Sequence, residues 1–324
     1  MQCLNSSEYP AGNEMKRTFA IGETFYDITF QEKRPISANP GGAILNTAIS
    51  LARCGIDVTL ITEFSTDHLG DIVNEFLKFN GVNTENIYKY KEGETPLALA
   101  FLDERNDAKY VFYETYPPER LQIATPAFRK EDIVLFGSLI AVSEQAREKL
   151  LDILKAAKDA GAILIYDPNL RESLLNRIES VRSMVKENIS LAHIVRGSHR
   201  DFEIAFGKED VEEVYGHVKE CGCNCLIYTK DNRGVWLRTT GDKKHYSTPP
   251  VKVVSTIGAG DSFNAGLICG MLSVNDNKFF AEWDNNDVWE NIISIAISFA
   301  THVCTHSENY ISKDFASLLT RRMV

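Results

Sequence analysis

The chain has 324 residues, 44% of them hydrophobic and 25% charged, and a formal net charge of −10. That is ordinary globular composition, with enough apolar material for one large domain or two smaller ones. The acidic balance argues against nucleic acid or an anionic membrane surface as a partner. No apolar run reaches the roughly 18–20 residues of a membrane helix, and the polar N-terminus lacks a secretory h-region.

Residues 1–16 are polar and unpatterned, and read as a loose extension. "TFAIGE" follows as an apolar run. "FYDITF" alternates like a half-exposed strand. "GAILNTAISLARCG" has helical spacing that closes on Gly55. "DVTLITE" reads as a strand, and "HLGDIVNEFLKFNG" as a second helix ending at glycine. "PLALAFLDERNDAKYVFYETY" reads as two strands around a polar turn at Glu104–Asp107.

The later elements alternate strand and helix. "DIVLFGS", "AILIYD", "LAHIVRGS" and "CLIYTK" are strands, and "SEQAREKLLDILKAAKDAG" and "VWENIISIAISFATHVC" are helices. The pattern predicts βαβ units: an α/β fold with a mostly parallel central sheet and helices on both faces. The alternating strands at about 24–34 and 96–115 have no helix to cover them. They form a small β-sheet lid, so residues 17–324 read as one domain with a lid insertion.

Seven cysteines, an odd number scattered along the chain, read as reduced thiols of a cytoplasmic protein. Cys221, Cys223 and Cys225 lack the second ligand pair that zinc would want. They read as the lead-in to "CLIYT".

The stretch that carries chemistry is "VKVVSTIGAGDSFNAGLICGML". It reads as a strand over Val251–Val254, a glycine turn, and a helix from about Asp261. The turn Gly258-Ala259-Gly260 bares its N–H groups, and a helix start adds more of them with the positive end of its dipole. Together they suit a phosphate. Asp261 beside them can take a proton from a hydroxyl as that oxygen attacks a phosphoryl group. The same pattern also fits an Asp N-cap on a tight turn. It is neither a Walker A loop, which needs Lys-Ser/Thr, nor GxGxxG, since Phe263 fills the last position. "AIGETFYD" after the first strand lacks GxGxxG too, which argues against a nucleotide-binding dehydrogenase.

"GAGDSFNAG" resembles the signature of the ribokinase-like (PfkB) family of sugar kinases, and "NPGGAILNTAISLARCG" resembles that family's N-terminal Gly-Gly motif. The likeness runs from about Thr18 to the last predicted helix. It implies a ribokinase-like three-layer sandwich with a β-lid, ATP as donor, Mg²⁺ as helper and a sugar as acceptor. By this resemblance Asp261 is the catalytic base, and Gly258, Ala259 and Gly260 are the anion hole. Asp27, Gly41, Gly42, Asn46 and Arg171 fall on the substrate side, and Thr229, Gly234 and Asn264 on the nucleotide side. Arg171, in "YDPNLRESLL", suits either a phosphate or an ion pair with Asp167. In "VRGSHRDFE", Ser198 and Asp201 stand where the family often has Asn-x-x-Glu, which gives Asp201 a water-mediated metal contact.

Departures narrow the reading. Ser255 replaces an Asp common before the signature, and the chain ends its last helix region with "CTHSENYIS" rather than glycines. Both changes weaken the case for a monovalent cation. Ala43, where ribokinases tend to carry Lys, points away from ribose, and "GETPLALAFLDE" looks closer to fructokinases. The expectation is an ATP-dependent fructokinase-like enzyme. A 2-keto-3-deoxygluconate or nucleoside kinase is the alternative, and a sugar-sensing pseudokinase the alternative of another class. Lid strands in this family often pair between subunits, so a homodimer through the lid is expected.

Overall fold

The computed structural model of the chain describes residues 16–103, 108–274 and 286–323. The extension expected over residues 1–16 lies almost wholly outside them, as does the Glu104–Asp107 turn. In chain order the strands are β1 (Thr18–Ile21), β2 (Phe25–Gln31), β3 (Arg34–Gly41), β4 (Val58–Ser65), β5 (Ile87–Tyr90), β6 (Glu94–Leu102), β7 (Ala108–Thr115), β8 (Ile133–Gly137), β9 (Ile163–Asp167), β10 (Ile194–Ser198), β11 (Leu226–Thr229), β12 (Val235–Arg238) and β13 (Lys243–Tyr246). The helices are α1 (Ala43–Arg53), α2 (His68–Phe79), α3 (Arg147–Asp159), α4 (Ile178–Leu191), α5 (His199–Phe206), α6 (Val211–Glu220), α7 (Ala259–Ser273), α8 (Asn286–Cys304) and α9 (Lys313–Met323).

The central sheet has the order β13-β12-β11-β10-β9-β8-β1-β4-β5. From β11 to β5 every neighbouring pair is parallel, while β12 and β13 close the other edge as antiparallel strands. A parallel sheet needs crossover helices, and these cover both faces. Its strands are therefore apolar on both sides, as in β8 "IVLFG" and β9 "ILIYD", buried at every residue.

The two-residue period of each strand divides the core. Ile163, Ile165 and Ile194 pack on the side of α1, α7 and α8. Leu164, Tyr166 and Val195 pack on the side of α3, α4 and α5. Cys225 lies in the first core and Cys223 in the second, so these two thiols do not converge. Among the described residues, no helix is long and apolar enough to cross a membrane.

The second sheet has the order β3-β2-β6-β7. Strands β6 and β7 pair antiparallel around the expected turn, and β2 joins β6 in parallel. The lid is wider than the alternation implied, because β3 extends it from Arg34 to Gly41. Pro35 and Pro40 hide this strand from a propensity reading. Each lacks an N–H for the ladder, which suits the edge position that β3 occupies.

One expected strand is absent. Val251–Val254 is not part of either sheet. Pro249 and Pro250 precede it, and its valines are exposed along the cleft described below. The helix expected from about Asp261 starts at Ala259.

Candidate active site

Open α/β sheets bind ligands beyond the carboxyl ends of their strands, where the strand order reverses. Here the order reverses at β1 and β8, and a cleft of about 2080 Å³ opens there. Glu23 follows β1 at the switch point. Its carboxylate accepts from the Ser138 hydroxyl and from the Ile140 N–H (3.0 Å), tying the two strand ends together. One end of the cleft lies under the lid, with Asp27, Tyr110 and Phe112. The other is apolar, with Val251, Val253, Ile297 and Ala300.

The glycine turn touches both ends. Gly258 has φ of +79° and caps α7. A Cβ there would fall 2.1 Å from the Asn309 carbonyl oxygen, so both the backbone sign and the packing require glycine. Ala259 N–H bonds back to the Thr256 carbonyl (3.3 Å), and Ser262 N–H starts the helix ladder on Gly258 (2.8 Å). Beyond that turn, the first N–H groups of α7 and its dipole face the cleft.

Asp261 meets α1 across the cleft floor. Asn46 Nδ2 donates to Asp261 Oδ2 at 2.9 Å, and Thr47 Oγ1 donates to the Asp261 carbonyl at 2.9 Å. These bonds fix the carboxylate and its backbone separately. Burial pushes the Asp261 carboxyl up to about 6; Asp167 pushes the same way, while Asn46, Arg171 and Arg196 oppose it. A carboxylate poised near 6 is ionised at neutral pH and basic enough to accept a proton.

Asp27 sits on β2, opposite Asn39. Burial raises its carboxyl to about 7, Asp261 and Glu23 add to the rise, and Arg171 counters it. Gly41 explains how so large a group fits. A Cβ at Gly41 would lie 2.0 Å from Asp27 Oδ2. Gly41 therefore makes room for Asp27 and does not itself line the cleft. Gly42, which caps α1, does line it.

The sequence profile of the pfkB family carbohydrate kinases matches residues 15–314. The chain belongs to that family. Accordingly it is an ATP-dependent sugar kinase. A probable fructokinase-5 of Arabidopsis thaliana is 31% identical over 251 residues, covering 75% of this chain and 77% of that one. The aminoimidazole riboside kinase of Salmonella typhimurium is 24% identical over 278 residues, covering 84% and 86%. In structure, the Salmonella enterica aminoimidazole riboside kinase with aminoimidazole riboside and an ATP analogue superposes with a TM-score of 0.81. Identity is 21%, over 95% of this chain and all (100%) of that one. A double mutant of Vibrio cholerae fructokinase, bound to fructose, ADP and potassium, gives 0.80 at 20% identity, over 93% and 96%. At such identities the structural likeness speaks for the fold.

The remaining expected site residues of this pfkB kinase divide between the cleft and the scaffold behind it. Arg171 lines the cleft, with its guanidinium 5.6 Å from the Tyr110 ring, and makes no ion pair with Asp167. Asp167 is paired with Arg196 instead, at 3.0 Å. Asn264, expected on the nucleotide side, does not line the cleft: it is 1% exposed and its amide donates to Asp167. It lies one helical turn beyond Asp261 on the same side of α7, and its bond to Asp167 places it over the end of β9. Thr229 and Gly234 do line the cleft.

Asp201 caps α5. Its Oδ2 accepts from Ser198 N–H (2.7 Å) and Ser198 Oγ (2.6 Å), and its Oδ1 from Leu170 N–H (2.7 Å). These three bonds leave about one acceptor position on the carboxylate, which lines the cleft. Among the described residues, no cluster of three His, Cys, Asp or Glu side chains is set to hold a metal. A divalent cation would therefore be held chiefly by nucleotide phosphates and water. Arg196 and Glu23 went unnoticed in the sequence. Arg196 had one signal, a charged residue inside a predicted strand, "LAHIVRGS".

Proposed function

We propose that this kinase transfers the γ-phosphoryl group of ATP to a hydroxyl of a small sugar, with fructose the first acceptor to test. The observation that carries this reading is the Asn46–Asp261 pair, set where the first turn of α7 opens toward the lid. Asp27 accepts hydrogen bonds from two acceptor hydroxyls and orients the sugar. Asp261 takes the proton of the attacking hydroxyl. The new bond forms between that oxygen and the γ-phosphorus, and the bond to the bridging oxygen breaks, so ADP leaves. N–H groups of the turn and of α7 stabilise charge on the transferring group. Mg²⁺ on the phosphates supplies charge neutralisation there.

Fructose is supported by the Arabidopsis relative's name and by the Thr95-Pro96-Leu97-Ala98 stretch of β6. A riboside acceptor is the second reading. Tyr110 and Phe112 stack 5.8 Å apart, 7° from coplanar, and give the lid end a flat aromatic wall suited to a planar base. ATP turnover measured over fructose, 2-keto-3-deoxygluconate, ribose, aminoimidazole riboside and nucleosides separates these readings. No turnover with any of them would return the chain to a sugar-sensing role.

The two raised carboxyls predict the pH profile. Lowering the pH protonates Asp27 near 7 and Asp261 near 6, so kcat/KM should fall in two steps on the acid side. Asp27→Asn should remove the upper step and raise the acceptor KM by about 10- to 100-fold, the worth of one or two charge-assisted hydrogen bonds. An unchanged acceptor KM in that variant would take Asp27 off the substrate.

A homodimer through the lid is also proposed. Strand register puts Leu99, Phe101, Val111 and Tyr113 on the face opposite Ala98, Ala100 and Phe112, and Tyr113 is 58% exposed. A second copy covering this face would also shield the exposed edge strand β3. Light scattering should give twice the chain mass, and Tyr113→Glu should halve it. The six described cysteines are free thiols, which suits a reducing compartment, and the cytoplasm is the proposed location.

A further inference from the structure

Three strands end under the glycine turn with polar residues on one face. The two-residue period that sends Ile163, Ile165, Ile194 and Ile227 toward α7 also sends Asp167, Arg196 and Thr229 there. Arg196 is the centre of the group and is 5% exposed. Its Nη1 donates to Asp167 Oδ2 (3.0 Å) and its Nη2 to Thr229 Oγ1 (3.2 Å). The guanidinium lies 5.2 Å from the Phe263 ring of α7. A Cβ at Gly260 would stand 3.0 Å from Nη1 and 3.2 Å from Nη2, so the turn's backbone rests directly on the guanidinium. Its Nε is buried without a partner.

We infer that Arg196 is a positioning residue for phosphoryl transfer: it ties the ends of β9 and β11 to the underside of the Gly258–Gly260 turn and balances the buried Asp167 charge behind Asp261. The inference rests on the kinase reading of that turn. Its physical basis is the geometry of a planar fork. Arg offers five N–H donors in fixed directions, so one group can hold two strand ends and a turn in register. Burying two charges costs several kcal/mol each, and apolar side chains of similar volume commonly hold a fold as well. The pair therefore serves the electrostatics of the turn more than the stability of the sheet.

Asp261 is faced by Asp27 from β2, Asn46 from α1, Asp167 from the end of β9, Arg171 just after it and Arg196 from β10. Removing a positive neighbour raises a carboxyl's midpoint, and removing a negative one lowers it. Asp167→Asn should therefore lower the Asp261 midpoint by about one pH unit, and the double variant Asp167→Asn/Arg196→Met, which removes the positive neighbour without leaving a buried carboxylate to take up a proton, should move it back up. A purely structural role for the ion pair would make the two variants alike.

The readout is a ¹³C NMR titration of protein carrying labelled aspartate carboxyls, with the Asp261 signal assigned by its loss in Asp261→Asn. The expected result is a midpoint below about 6 in Asp167→Asn, higher in the double variant than in Asp167→Asn, and close to wild type in Arg196→Lys, which keeps the charge. The acid limb of kcat should follow the same order. Equal midpoints in wild type and Asp167→Asn, or no rise from Asp167→Asn to the double variant, would overturn the inference. If the double variant does not fold, Asp167→Asn and Arg196→Lys still decide it. Absent turnover in the wild type would defeat the kinase reading alone, because the titration is read without substrate.

Discussion

Asp261→Asn is expected to lower kcat by roughly 10³-fold, within the range that a positioned general base contributes, while the fold survives. The replacement keeps an acceptor oxygen for Asn46 Nδ2, and the Thr47 hydroxyl binds the backbone carbonyl, which the substitution does not touch. Only the ability to take a proton is lost. Stability should respond in the opposite sense to activity. The carboxyl is raised from 3.8 to about 6 in the folded chain. The folded state therefore binds this proton more tightly than the unfolded state, and the stability this confers is present below about 4 and lost as pH rises through about 6. At pH 8 the wild type carries a buried carboxylate that the amide variant lacks. Asp261→Asn should thus melt at or above the wild-type temperature at pH 8, and the gap should close on going to pH 5. Single-turnover rates and melting curves at the two pH values test both halves. Near-normal kcat in the variant would remove Asp261 from the role of base.

The βαβ alternation and the glycine turn were legible because both rest on local rules. Apolar runs such as "ILIYD" sit between glycine-ended helices, and Gly55, Gly81 and Gly161 all take positive φ past the ends of α1, α2 and α3. The lid was legible only in part. Strand β3 carries two prolines, and its identity comes from pairing with β2, which no local pattern encodes. Val251–Val254 shows the reverse error: four residues of strand-like composition that join neither sheet. The site divides in the same way. Asp27, Asn46 and Asp261 were found through motifs. Arg171 was weighed as a partner for Asp167, four positions away in sequence, yet the chain pairs Asp167 with Arg196, 29 residues on, because neighbouring strand ends are closer in space than a loop is to its own strand. Asn264 and Asp201 show that a polar residue in a motif can also serve its own scaffold: one gives its amide to Asp167, the other accepts from Ser198 and Leu170.

Arg120→Met is expected to cost about 3–5 kcal/mol at neutral pH, the usual penalty for stripping a partner from a buried charge. Arg120 lies on the chain that returns from lid strand β7 to the main sheet, and its guanidinium bonds Glu63 on β4. Both side chains are buried, Glu63 completely. Glu63 also accepts from the Leu121 N–H (2.8 Å), and the Arg120 guanidinium lies 3.3 Å from the Tyr116 ring centroid. Burial raises the Glu63 carboxyl, and Arg120 is the main force opposing that rise. Without Arg120 the carboxyl rises further, and the folded variant takes up a proton that the unfolded chain does not hold near pH 7. The deficit should therefore shrink as the pH is lowered and grow as it is raised through the new folded value. The double variant Glu63→Gln/Arg120→Met should recover most of the loss, since an amide can still accept from Leu121 and carries no charge. Urea unfolding of the single and double variants at pH 6 and 8 closes the cycle. A pH-independent deficit, or a double variant no better than Arg120→Met, would mean that packing on Tyr116, and not the charge of Glu63, is what Arg120 supplies where the lid rejoins the sheet.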